Sequence, residues 1–326
     1  MEAVILEKYK FFCCLAGECP STCCAGWRIV VDKKDVRRFE ELNPEWLRKD
    51  ILSNLLRKDE QYYFKNRKDG SCAMLDSDGL CRIQRNTSEE TLCNTCRKYP
   101  RLIREEDTKL YLSMAASCPV IARYLLQEEV FWLHSYEQGK VQRVHTKDLE
   151  FVKDVWDLCQ KRFAAAEELL EKTPNQNVLY SCFEKMADEI LDNMPVYQEN
   201  GLSAKLLAAL EKDCFVCLED FIKGYETVWE RLVWNYLSYR IPSRRIEFPS
   251  EMAEDCLLWV QGELFLLRTL VFCRYVQNGK LSEEDFADLL QRVYRFCVHG
   301  KKSVAAFGRI LSDFFKQDLL WSYVLL

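Results

Sequence analysis

The chain has 326 residues, a net charge of −5, 48% hydrophobic and 30% charged residues, a globular profile that excludes long disorder and offers nucleic acid no general attractive field. A chain of that length buries a full core unaided, so its 17 cysteines are not needed to rescue a small fold. With only 11 Gly and 8 Pro, about half the usual combined share, helices are favoured over many short strands.

The opening run, MEAVILEKYKFFCCLAG, mixes charges into its apolar residues and holds no signal-peptide core. A soluble, cytoplasmic, monomeric protein is expected, in a compartment where reduced thiols favour metal binding or catalysis over disulfides. In CCLAGECPSTCCAGW, Cys13 to Trp27, five of fifteen residues are cysteines. The β-branched run of GWRIVVDKKDV predicts an extended segment leading into a helix capped near Asp32. Residues 35–58 read as helical, interrupted at Asn43-Pro44. In DGSCAMLDSDGLCRIQ, Gly70, Asp78 and Gly79 mark turns that set Cys72 and Cys81 across a loop or hairpin. Ten cysteines lie at or before Cys118, and loops this rich in thiols need something to order them, which a bound metal provides. A cysteine-rich region, 1–125, packed on a helical domain, 126–326, is therefore expected, in a mainly α protein.

Helical periodicity covers about 147–172, 177–193, 203–239, 251–277 and 302–318, with Pro174, Pro195, Pro242 and Pro249 at the breaks. In SEEDFADLLQRVYRFCVHG, Ser282 and Asp285 form a capping-box variant, and Gly300 can close the helix. Cys159, Cys182, Cys256, Cys273 and Cys297 sit among apolar residues as buried, inert thiols. Cys214 and Cys217 form a CxxC with no second pair nearby to complete four ligands. Gln261, Glu263 and Arg268 make Cys256–Cys273 too polar for a membrane span.

Several chemistries are excluded. No two glycines lie two positions apart, which removes the glycine-rich dinucleotide turn, the phosphate-binding loop and the nucleophile elbow. His134, His145 and His299 form no ligand pair and read as surface or helix-end residues, so a tightly held metal must rest on thiolates. Thiolates favour zinc or an iron–sulfur centre. Cys93–Cys96 is the one CxxC of the first region, and Cys19-x3-Cys23 lacks a third radical-type ligand because Gly26 stands there.

These segments resemble the flagellin lysine-N-methylase family, which carries a CxxCxxCC-type chelating signature in variant form. Cys14, Cys19, Cys23, Cys24, Gly26 and Trp27 match its first segment, with Pro20 in place of a Glu and Cys13 extra. Cys72, Asp78, Gly79, Cys81, Ile83 and Gln84 match its second. Thr95, Cys96, Arg97, Tyr99, Pro100 and Arg101 match a third, with Cys93 extra. Ser117, Cys118, Pro119 and Arg123, then Glu230, Asn235 and Tyr236, complete the series in the same order, although Arg231 departs from the pattern.

The resemblance implies S-adenosylmethionine-dependent methylation of lysines in flagellin or another lysine-bearing protein. It implies an iron–sulfur centre, [4Fe–4S] with zinc as the alternative, among Cys14, Cys19, Cys23, Cys24, Cys72, Cys81, Cys96 and Cys118. Eight cysteines exceed the four of one cubane, so a subset binds it and the rest are structural or a second centre. By their place in family-like segments, Tyr99, Glu230 and Tyr236 are the acid–base candidates and Arg97, Arg101 and Asn235 the cofactor-binding ones. The basic group Arg97, Lys98, Arg101 and Arg104 has three readings: a counter-charge to an anionic cluster, a carboxylate site for the cofactor, or a solvated face. The competing reading is a non-catalytic cysteine-rich zinc- or iron-binding scaffold.

Overall fold

A computed structural model describes residues 1–137, 139–172 and 214–299, together with 304, 305, 307, 308, 311, 321, 322 and 324. The expected helix at 177–193 and the side chains of Cys182, Cys214 and Cys217 lie outside the described residues, as does Gly300.

The opening apolar run is a strand, β1 (Glu2–Leu6), followed by one helical turn, α1 (Glu7–Lys10). The β-branched pair Val30–Val31 forms β2 and leads to α2 (Lys33–Glu40). Asp32 precedes α2 but does not cap it, because its carboxylate accepts from Asn94 Nδ2 at 3.1 Å. Pro44 starts α3 (Glu45–Ser53), and the expected helix then gives way to a hairpin, β3 (Leu55–Lys58) and β4 (Gln61–Phe64). Asp59 and Glu60 turn it with positive φ, a conformation their sequence does not advertise as Asn-Gly would. Two short helices follow, α4 (Arg82–Asn86) and α5 (Asn94–Lys98).

Next come β5 (Arg101–Glu106), β6 (Lys109–Met114), α6 (Pro119–Gln127), β7 (Trp132–Ser135) and β8 (Val141–Val144). They make a five-stranded sheet, ordered β5-β6-β1-β7-β8, with β1 at its centre and parallel to β6. This sheet was not expected from composition, and it ties residues 2–6 to residues on both sides of position 125, which itself falls inside α6.

Four long helices follow: α7 (Lys153–Lys172), α8 (Cys214–Glu247), α9 (Ala253–Asn278) and α10 (Glu283–Val298). The fold is thus mainly α with two sheets. Pro242 does not end α8. It removes the bond to the carbonyl of Ser238, and that oxygen instead accepts from Trp132 Nε1 at 3.1 Å and Thr146 Oγ1 at 2.7 Å. The helix therefore runs on to Glu247, locked to the sheet at the proline. Gly279 closes α9 in the left-handed region, and the Ser282–Asp285 capping box opens α10 as expected. Helix α9 is long and apolar enough to cross a membrane, but 89% of its most apolar stretch is buried inside this fold, as in a central core helix.

Two cores result. The large one joins β1, β6 and α6 to α7–α10 and includes Cys159, Cys256, Cys273 and Cys297 as buried thiols. The small one gathers Ile29, Val31, Phe39, Leu47, Ile51, Phe64, Met74 and Ile83 with Cys72 and Cys93, and Cys24, Cys81 and Cys96 pack against it. We call the part built on the small core the cysteine lobe and the rest the helical body.

Candidate metal and active site

Loops rather than regular elements carry most of the cysteines, and arginines tie those loops down. Arg82 bonds Asp50 at 2.8 Å, Asp76 at 3.0 Å and the carbonyl of Ala73 at 2.8 Å. Arg38 holds the carbonyl of Leu92 at 2.7 Å, and Thr95 Oγ1 donates to Val30 at 2.7 Å, which fixes the Cys93–Cys96 turn on β2. The first cysteine loop docks on the helical body through Trp27, whose ring stacks on His299 (6.2 Å between centroids), and through Arg295, which donates to Thr22 at 3.3 Å.

Between the two cores lies a cavity of about 130 Å3 lined by seven cysteines: Cys14, Cys19, Cys23, Cys24, Cys81, Cys96 and Cys118. Of the eight thiols expected to gather, only Cys72 stands back, buried in the small core. Cys93, set aside in the sequence as extra, is fully buried there and pairs with Cys96; its CxxC spacing was the signal for it. Cys13 is exposed and outside the cavity lining.

The thiols act on one another. Cys23 and Cys24 share a hydrogen bond that pushes Cys23 up and pulls Cys24 down to about 7. Cys93 and Cys96 do the same, with Cys96 raised and Cys93 lowered. Burial pushes Cys72 to about 12 and Cys118 to about 11. Their mutual influence sorts into two sets that meet at the Cys23–Cys24 peptide. Cys23 and Cys118 each feel Cys14 and Cys19, whereas Cys72, Cys81 and Cys96 feel Cys24 and one another's neighbours. Without a cation most of these thiols stay protonated, and a bound metal would reverse that by stabilising the thiolates.

The donor set fits a soft metal in kind and number, since seven thiols face the cavity with a single carboxylate, Glu89, and no histidine. Among the described residues, however, no three His, Cys, Asp or Glu side chains are set as the ligands of one ion, so closing a site requires side-chain rotation.

The other candidate residues divide. Tyr99 lines the cavity, its phenol raised by burial, and donates to Ser117 Oγ at 3.0 Å. Arg101 lines it too, its guanidinium over Phe12 at 5.3 Å. Arg97 instead donates to the carbonyl of Glu90, and Arg104 to that of Arg245, so the basic group does not converge. The structure does not bring Glu230, Asn235 or Tyr236 to the cavity. Glu230 is exposed; Asn235 donates to the carbonyls of Leu125 and Glu128, both at 2.9 Å, ending α6; Tyr236 is fully buried against Glu263 at 2.8 Å. Ser117 and His299, which join Tyr99, were not among the sequence candidates for the site.

Fold and site together define a helical protein with a cysteine lobe and a thiol-lined cavity between its two cores. Comparison with known proteins places it further. The family model described as the FliB lysine N-methylase C-terminal domain matches residues 122–320, about three-fifths of the chain, and the chain belongs to that family. The flagellar biosynthetic protein FliU of Salmonella muenchen is 28% identical over 122 residues, covering 36% of this chain and 72% of FliU. Proteins named lysine-N-methylase from Salmonella typhimurium and Salmonella choleraesuis are each 27% identical over 122 residues, again 36% of this chain. The match spans only 30% of the length of each of those two. No solved structure matches.

Proposed function

We propose that this protein transfers methyl groups from S-adenosylmethionine to lysine side chains of flagellin, with a cysteine-held [4Fe–4S] cluster at the cavity. The observation that carries this reading is a single cavity ringed by seven thiols, in a chain of the lysine N-methylase family. Cys14, Cys19, Cys23 and Cys118 are the set we assign to the cluster; Cys24, Cys72, Cys81, Cys93 and Cys96 form the set that belongs to the small core. With one of these four thiolates for each of its irons, such a cluster when bound would order the cysteine loops and supply anionic charge at the cavity.

The chain's own residues account for the rest. Lysine attacks a methyl group only as the neutral amine, because the ammonium has no lone pair. Phe12, Leu15, Leu80 and Pro100 give the cavity apolar walls that exclude water and disfavour the charged form. Arg101 offers a fixed cation to the donor's carboxylate or to an anionic cluster. Tyr99 brings a phenol hydroxyl to the cavity, which Ser21 and Thr22 also line.

Anaerobically purified protein incubated with isotopically labelled S-adenosylmethionine and flagellin should place label on lysine. Correctly loaded protein that leaves flagellin unlabelled would instead favour a metal-binding scaffold.

A further inference from the structure

A polar chain leads out of the cavity toward the helical body. Tyr99 Oη donates to Ser117 Oγ at 3.0 Å, and Ser117 Oγ lies 2.7 Å from His299 Nε2. The chain is firmly built. Ser117 is fully buried and its carbonyl accepts from Gln291 Nε2 at 2.8 Å. His299 ends α10, its backbone N–H bonded to Arg295 at 3.0 Å, with the Trp27 ring stacked on one side and the Tyr294 ring edge-on at 5.8 Å.

The direction of the chain is set by its first link, in which Tyr99 donates to Ser117. A hydroxyl has one to give, and a neutral imidazole has one N–H. With Tyr99 donating to Ser117, the serine proton is left for His299, whose Nε2 must then be bare and whose proton sits on Nδ1. Tyr99 has spent its proton on Ser117, so only oxygen lone pairs remain for the cavity. This order holds while the imidazole is neutral. Burial, Arg295 on its own helix and Arg240 on α8 keep it so down to about pH 4. The remaining titratable neighbours are Tyr294 beside His299 on α10, Cys118 facing Tyr99 from the start of α6, and Cys23 facing it from the first cysteine loop.

We propose that His299 is a positioning residue: acting through Ser117, it fixes Tyr99 as a hydrogen-bond acceptor toward the cavity, where the phenol oxygen receives an N–H of the lysine to be methylated and aims its lone pair. This rests on the lysine-methylation reading above. No proton changes hands in this step, and the amine keeps its lone pair for the methyl group. A protonated imidazole would turn the chain round and point the Tyr99 proton at the amine's lone pair, which opposes attack.

Two measurements test it, one of them independent of turnover. With only three histidines, His134, His145 and His299, the 15N-histidine NMR spectrum of the purified protein can be assigned by substitution. His299 should show the Nδ1–H tautomer at pH 7, and Ser117→Ala should release that preference. The Nε2–H tautomer in the wild type overturns the proposal whether or not methylation occurs. In the metal-loaded enzyme, Tyr99→Phe and His299→Leu should each lower kcat/KM by roughly tenfold or more, as for loss of one oriented hydrogen bond at the reacting group. His299→Gln, which can still present an acceptor to Ser117, should recover most of the loss. Wild-type turnover with Tyr99→Phe unaffected, or with Gln no better than Leu, overturns the positioning role. If the wild type labels no lysine while the Nδ1–H tautomer is found, the methylation reading fails, and with it the role assigned to Tyr99.

Discussion

The helical body and the cysteine lobe both bury reactive groups, but they satisfy them differently. In the body the central buried charges meet opposite partners. Arg240, fully buried, reaches Glu263 at 2.9 Å and Glu247 at 2.8 Å, with Tyr236 on Glu263 and Tyr294 on Glu247 at 3.2 Å. In the lobe the buried thiols meet mainly one another, and their mutual repulsion as thiolates is left uncompensated by the chain. A closed network of opposites fixes a structure, whereas a gathering of like donors leaves chemistry for a ligand to complete. The difference separates a part that fixes the fold from a part left open to a ligand.

That contrast can be broken most severely in the body. Glu263→Gln leaves the fully buried Arg240 with Glu247 as its one counter-charge and should cost about 3–5 kcal/mol in urea denaturation, without altering the metal bound per folded molecule. A smaller effect is expected at the seam between the two parts. The His299 imidazole is depressed from 6.5 to about 4, so between these values the unfolded chain binds the proton that the folded chain refuses. Stability should therefore fall as pH is lowered from about 6.5 to 4, by up to roughly 3 kcal/mol, and His299→Gln should flatten that part of the profile. An unchanged slope in the variant would show that the seam is solvated.

Packing in the body gives the next effect. A Cβ on Gly262 would lie 2.4 Å from Leu311 Cδ2 and 2.9 Å from Phe307 Cζ, so Gly262→Ala should cost about 1–3 kcal/mol by overpacking. The smallest is Ser282→Ala, which removes the capping box of α10 and should cost about 1 kcal/mol. Because α10 carries His299 at its far end, a loss of tautomer preference in this variant would mean that the seam depends on the whole helix.

The body was legible where its order is local. The apolar period and the Ser282–Asp285 cap placed α10, and the apolar setting of Cys159, Cys256, Cys273 and Cys297 marked them as buried. What long-range contacts decide was not legible. Pro242 reads as a break until Trp132 and Thr146 take up the carbonyl it frees. β1 reads only as an apolar stretch until β6 and β7 flank it. In the lobe, the order of the cysteine segments foretold the gathering of seven thiols, but not that Cys72 would stand back or that Cys93 would join Cys96. Glu230, Asn235 and Tyr236 were chosen by their segment, and nothing local in that segment tells that Asn235 ends α6 or that Tyr236 serves an interior ion pair. His299 does end a helix, yet Ser117, through which it reaches Tyr99, lies 182 residues away and the link has no local signature.

The central claim, that the cavity between the two cores is a thiolate centre for iron and sulfide rather than a thiol-rich gap, is tested most directly by determining iron, acid-labile sulfide and zinc in anaerobically prepared protein. The account predicts iron and sulfide in equal amounts, retained in Cys13→Ser and lost in Cys118→Ser. Stoichiometric zinc without sulfide would contradict it.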